Sequence, residues 1–145
     1  MRKPTPPLAA ETQALKETYA ALNRNDIEAA VGSFDARIAW IEPSDYPLGG
    51  TYQGIEAVKA HLAQARATWA EGGCEPERFI VAGNRVLVCL AVRVRLKDEA
   101  QWREGRHVAA YTFRGGKAVE MRIFEDRRQA LDWAGIRSPG TGVPG

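Results

Sequence analysis

The sequence predicts an α+β domain in which a curved antiparallel sheet wraps around N-terminal helices and leaves a conical apolar cavity between them. Two observations carry this. Apolar residues recur at helical spacing through the first half of the chain and alternate at strand spacing through the second. Helices and strands are thus segregated along the chain, the arrangement that gives an antiparallel sheet with helices on one side. The 145 residues suit one domain, and 45% hydrophobic residues suffice for a core.

A Pro-rich arm over residues 1–7 is expected to be mobile, and a Gly/Pro tail over 137–145 is expected not to pack. The domain is expected over 8–136. Leu8, Thr12, Leu15, Tyr19 and Leu22 lie on one face of a first helix, with Pro6 and Pro7 suited to its first turn and Thr5 to its cap. A short second helix starts at Asn25, with Glu28 where a capping-box acid belongs and Ile27, Ala30, Val31 and Phe34 as its stripe. A strand over 37–42 stops at Pro43, and a turn-rich loop follows. The third helix begins after Gly54, carries Ile55, Val58, Leu62, Ala65 and Trp69 on one face, and ends at Gly72 and Gly73.

The second half reads as a meander. Strands are expected over 77–82, 85–96, 102–114 and 117–125, with turns at Gly83-Asn84 and Gly115-Gly116. In the second of these Val86, Val88, Leu90, Val92, Val94 and Leu96 alternate with residues that end in Arg93 and Arg95. One face is therefore buried, and the other becomes wet towards the end. A helix over 127–134 closes the domain.

A net charge of +2, from 20 basic and 18 acidic residues without a Lys/Arg block, argues against nucleic acid or an anionic membrane as partner. No apolar run approaches the roughly 20 residues of a membrane helix. The start MRKPTPPLAA has no hydrophobic signal core, so a cytoplasmic location is expected. Cys89, in an apolar run, is expected to be a buried thiol, and Cys74 to lie in a loop; their spacing supports neither a disulfide nor a metal site.

Three stretches carry a family resemblance. "YAALNRNDIEAAVGSF" resembles the paired N-terminal helices of the nuclear-transport-factor-two-like superfamily, which includes ketosteroid isomerases and SnoaL-like polyketide cyclases. "WIEPSDYPLGGTYQGIEAV" resembles its strand, loop and third-helix start. "YTFRGGKAVEMRIFEDRRQALDWAGI" resembles its final hairpin and closing helix. Together with the element order the resemblance covers roughly residues 8–136. It implies a cystatin-like α+β barrel, a cone with an apolar pocket, and often a homodimer. It implies no single activity, because the fold hosts enzymes and non-enzymes alike.

Strand alternation puts Ile38, Trp40 and Glu42 on one face. If that face lines the cone, Glu42 is desolvated beside an apolar ring, which suits it to act as a general base or acid near neutral pH. Ketosteroid isomerases carry an acid in an Asp-Pro pair at the similar place, and the pair here is Glu42-Pro43, so the resemblance makes Glu42 the proton shuttle. The alternative is a solvated acid at a strand end. His107 shares a face with Ala109, Tyr111 and Phe113, which suits it to act as a second acid/base or as a donor to a substrate oxygen. The alternative is a histidine exposed by the polar run REGRH. In ketosteroid isomerases a Tyr on the first helix helps form the oxyanion hole; that position falls here on Thr18, with Tyr19 one step, about 100°, around the helix. Tyr19 either offers its phenolic hydroxyl to a substrate in the pocket or is a core residue with its hydroxyl at a polar edge. The protonated Asp that completes the isomerase oxyanion hole has Ala109 as its counterpart here, which argues against steroid isomerisation.

His61, beside the apolar stripe of the third helix, points into the pocket or sits as a satisfied helix-flank residue. Trp40, Tyr52, Trp102, Tyr111 and Met121 are candidates to line the cavity or to be plain core. Arg93 and Arg95 are expected in surface ion pairs with Glu104 or Glu120. There is no serine nucleophile elbow, P-loop or HExxH, and the Asp-Arg-Asp relay of limonene-epoxide-hydrolase-like enzymes is not found. No metal or cofactor is expected. Two functions remain. One is a cofactor-free isomerase, lyase or cyclase acting on a small apolar carbonyl compound, with Glu42 moving the proton and His107 assisting. The other is a non-catalytic ligand-binding or dimeric interaction domain.

Overall fold

The computed structural model describes residues 7–136. The predicted tail, and the arm with Thr5 and Pro6, lie outside them. The elements are α1 Ala9–Asn23, α2 Ile27–Ala30, β1 Phe34–Glu42, β2 Gly50–Gln53, α3 Ile55–Ala67, β3 Trp69–Ala82, β4 Arg85–Leu96, β5 Trp102–Arg114, β6 Lys117–Phe124 and α4 Arg127–Ala134. The six strands form one curved, unclosed sheet in the order β2-β1-β6-β5-β4-β3. It is antiparallel except where β1 lies parallel to β6.

Side chains from one row of this register build the core. Tyr52, Trp40, Met121, Tyr111 and Val86 are successive cross-strand partners from β2 to β4. All face the concave side, where Leu15 and Tyr19 of α1 and Val58 and Leu62 of α3 close over them. On the convex side α4 covers a smaller cluster of Leu87, Val108 and Ala110 with its own Ala130 and Leu131. β4 is thus buried on both faces at its start and wet on one face at its end, where Arg93 is exposed. Arg93 reaches Glu104 at 3.7 Å, whereas Arg95 takes Glu71 at 2.7 Å, and Glu120 is held by Arg122 of its own strand.

Four local expectations need correction. The short strand β2 replaces part of the predicted loop; its four residues, Gly-Thr-Tyr-Gln, are too few to show a period. The third helix stops at Ala67, and Trp69 already pairs with Leu96 in β3, which starts well before Glu77. Gly72 and Gly73 lie inside that strand rather than at a helix end. Gly72 has φ +101 and passes so close to the neighbouring strand that a Cβ would stand 2.0 Å from the Arg93 carbonyl oxygen. A glycine held there by strand packing reads, in sequence, like a helix stop. The second helix is capped by Asp26, whose carboxylate accepts from Ala29 N–H, and Glu28 bonds Lys59 at 2.7 Å instead of closing a capping box. Finally, the cysteines exchange places: Cys74 is buried on the concave face and Cys89 is half-buried, and both are free thiols.

Burial pushes the Cys74 thiol up to about 12, so it stays protonated and unreactive at neutral pH. Cys89 is also pushed up by burial, but the Arg127 and Arg78 charges oppose the rise. A disulfide reagent at pH 8 is expected to titrate Cys89 in the folded protein and Cys74 only after denaturation. Equal labelling rates for both thiols would contradict this burial.

Candidate active site

Strand β1 delivers Glu42 to the cavity because side chains two apart share a face. Glu42 follows Trp40 at that spacing, and the strand ends there: Pro43 has no N–H to continue the ladder. The Trp40 indole N–H donates to Glu42 Oε2 at 2.7 Å. His61 Nε2 lies 2.7 Å from the same oxygen. His61 sits on the buried face of α3 with Val58 and Leu62, and its residue is 3% exposed. Tyr52 of β2 stacks on the imidazole with ring centroids 3.9 Å apart and planes at 20°, and Trp40 meets it edge-on. The His61 ring is therefore fixed on both sides.

His61 Nδ1 is buried without a partner. A buried N–H lacking an acceptor costs more than a buried lone pair on an aromatic nitrogen. A carboxylate oxygen accepts, so the 2.7 Å contact is read with hydrogen on His61 Nε2, donated to Glu42 Oε2. Oε2 then accepts two N–H bonds, and Oε1 has no partner among the described residues.

Glu42 and His61 open on a cavity of about 190 Å³. Its wall is mostly apolar: Leu22, Leu62, Trp69, Leu90, Val92 and Ile123 contribute, with Tyr19, Tyr46, Leu48, Cys74 and His107. A wider groove of about 470 Å³ shares Leu90 and His107 with it and is otherwise lined largely by charged side chains, among them Arg78, Arg106 and Arg127. The smaller cavity is the candidate site, because it joins a positioned carboxylate to an apolar wall. Among the described residues no group of three or more His, Cys, Asp or Glu side chains is placed to hold a metal ion, and no helix is long and apolar enough to cross a membrane.

A family model described as the SnoaL-like domain matches residues 15–121. This chain belongs to the SnoaL-like family. No curated protein matches it. Among solved structures, the SnoaL-like chain is similar to an NTF2-like protein from Burkholderia xenovorans LB400, with 33% identity over 85% of this chain and 93% of that one and a TM-score of 0.67. An NTF2-like protein of unknown function from Burkholderia pseudomallei K96243 is 25% identical over 86% of this chain and 96% of that one, with a TM-score of 0.73. TerC, co-crystallised with polyporic acid, is 25% identical over 88% of this chain and 99% of that one, with a TM-score of 0.71.

Of the residues chosen from sequence, the SnoaL-like cone brings Glu42, His107, Tyr19, Trp40 and His61 to the cavity. Tyr52 stands behind His61. Tyr111 and Met121 are fully buried core residues and do not line it. The Tyr111 hydroxyl shares a 2.7 Å hydrogen bond with that of Tyr19, which does line it. Trp102 is not part of the wall. It lies an odd number of residues from His107 and so on the opposite face of β5, where the Arg93 guanidinium stacks on it at 3.9 Å. Tyr46, Leu48, Trp69 and Cys74 are lining residues that sequence reasoning did not choose. The first two belong to the loop between β1 and β2, where no period marks a side chain as inward.

Burial lowers the pKa of His107, with the Glu42 charge opposing, so the ring is held neutral below its ordinary range. The folded state then takes up a proton less readily than the unfolded chain. Stability is complete above about pH 6.5, the ordinary histidine value, and is lost as pH falls from there towards the folded pKa. Urea midpoints at pH 7.5 and 5.5 are expected to differ more for the native protein than for His107→Gln. An equal drop in both would place the acid sensitivity elsewhere.

Proposed function

We propose that this SnoaL-like chain binds a small, mostly apolar carbonyl compound in the cone, and that Glu42 moves a proton on it in an isomerase-, lyase- or cyclase-type reaction. One observation carries the reading: Oε2 of Glu42 is held by Trp40 and His61, Oε1 has no partner among the described residues, and Glu42 lines an apolar cavity. A base needs this combination, with fixed orientation, one available lone pair and little water. His107, neutral on the same wall, assists. The complex of the TerC relative with polyporic acid supports a small organic ligand.

The cavity sets the ligand's size. An apolar cavity of about 150 Å³ holds benzene, and drug-sized ligands occupy about 300–1,000 Å³. The 190 Å³ here therefore suits a single ring with a short polar substituent. The reaction proceeds without a cofactor, in a cytoplasmic homodimer. A second reading is a non-catalytic carrier. It is favoured by the closure of the Glu42–His61–Trp40 cluster on itself, with the Glu42 side chain only 16% exposed.

Native mass spectrometry of the protein and of Glu42→Gln, each exposed to a metabolite extract of the host, separates the two. A carbonyl compound that accumulates on Glu42→Gln but is converted by the native chain supports proton transfer. A ligand held unchanged by both supports the carrier.

A further inference from the structure

Arg85, at the start of β4, is a partly buried charge without a counter-ion. The residue is half-buried, and its Nε lies out of water with no hydrogen-bond partner. Among the described residues no carboxylate stands within ion-pair reach of it. The guanidinium is nevertheless held in place, stacked on the Trp133 ring of α4 at 4.2 Å. Taking a charge part-way out of water is costly unless an opposite charge meets it.

The neighbouring side chains do not supply that charge. Arg85, Thr112 and Glu120 are cross-strand partners on β4, β5 and β6. They stand two residues from Leu87, Ala110 and Arg122, and so share the convex face with them, beside α4. With Asp35, Arg37 and Arg114 they line an open groove of about 750 Å³. Both acids of the groove are engaged elsewhere: Glu120 accepts from Arg122 Nε at 2.8 Å, and Asp35 accepts from the Arg37 backbone N–H at 2.8 Å. Arg37 and Arg114 are exposed and, like Arg85, form no ion pair among the described residues. With Arg122 counted, four guanidiniums stand against two carboxylates, an excess of two positive charges.

We infer that this groove is a second binding site, which takes a small molecule bearing a phosphate group. Charge selects the class. A carboxylate brings one negative charge, whereas a phosphate monoester brings about 1.5 to 2 at pH 7 and so balances the excess. Shape selects it too, because the planar guanidinium fork matches phosphate oxygens with two parallel N–H bonds. Arg85 is already ordered by Trp133, so it loses little freedom when it binds. The site lies across the sheet from Glu42 and is independent of the reaction proposed there.

Methyl phosphate and acetate are the probes, since both are too polar to gain from the apolar cavity. Each is titrated by calorimetry at low salt into the native chain and into three variants. Arg85→Gln, and the double variant Arg37→Gln/Arg114→Gln, are each expected to weaken methyl phosphate binding about 10- to 100-fold, the strength of a hydrogen bond to a charged group. The double variant alters exposed side chains only, so it tests the site even where Arg85→Gln fails to fold. Arg103→Gln removes a charge at the other end of β5, where Arg103 is bonded to Glu99, and is expected to bind as the native chain does. Acetate is expected to bind more weakly than methyl phosphate to the native chain. Absence of methyl phosphate binding to the native chain overturns the site. Undiminished binding in the double variant also overturns it, as does an equal loss in Arg103→Gln, which reduces binding to general charge attraction. Acetate binding as tightly as methyl phosphate overturns the phosphate class.

Discussion

Glu42→Gln is expected to lower turnover of the bound carbonyl compound about 10²- to 10⁴-fold, the usual contribution of a positioned acid–base group, with little loss of stability. The amide oxygen of Gln can stand where Oε2 stands and still accept from the Trp40 indole and from His61 Nε2. Its NH2 then takes the place of Oε1. Geometry and packing survive, and the base is gone. Glu42→Leu has a similar bulk and the opposite outcome. It strands the Trp40 and His61 N–H groups away from water, at about 1–3 kcal/mol for each unsatisfied donor. The pair of variants therefore separates chemistry from architecture. Urea unfolding is expected to place Glu42→Gln near the native midpoint and Glu42→Leu well below it. Equal destabilisation by both would make the charge itself structural. Full turnover in Glu42→Gln would remove Glu42 as the base.

How far the sequence shows this site depends on whether a residue sits on a regular element. Trp40 and Glu42 share a face by simple alternation, and His107, Ala109 and Tyr111 do so on β5. The same rule, carried back from His107, puts Trp102 on the outer face. His61 is legible as a helix residue beside Val58 and Leu62. Its bond to Glu42, however, joins two elements 19 residues apart and depends on how α3 crosses the sheet.

Irregular backbone hides the rest. β3 starts at Trp69 and carries bulges between Trp69 and Glu71 and between Pro76 and Arg78, so Cys74, expected in a loop, lies in a strand whose phase the sequence does not show. Tyr46 and Leu48 reach the cavity through two turns that only coordinates reveal. The family resemblance supplies the element order and the SnoaL-like cone. It could not supply the Glu42–His61–Trp40 cluster, because the isomerase oxyanion positions it points to are Thr18 and Ala109 here.

Tyr111→Ala is expected to be the most destabilising single change in the cone. The ring is fully buried, and it meets Tyr19, Phe34 and Trp40 at centroid distances of 6.5, 6.1 and 6.3 Å. Emptying such a site costs about 3–5 kcal/mol, and it also leaves the Tyr19 hydroxyl without its partner at a further cost of about 1–3 kcal/mol. Against a typical total stability of about 5–15 kcal/mol, that is enough to unfold much of the population at 37 °C. Tyr111→Phe keeps the ring and removes only the bond, so about 1–3 kcal/mol is expected from it alone. Tyr19→Phe breaks the same bond from the other side. If the hydroxyl pair is what matters, the double variant Tyr19→Phe/Tyr111→Phe loses less than the two single losses added together, because no orphaned hydroxyl remains in a dry site. Additive losses would show that the two hydroxyls are independently solvated. In the Tyr111→Phe protein the freed Tyr19 hydroxyl also faces the cavity, which becomes more polar without changing shape, so binding of nitrobenzene should weaken while that of 4-nitrophenol should not. The stability of the cone and the chemistry of its cavity are thus linked through one buried hydrogen bond.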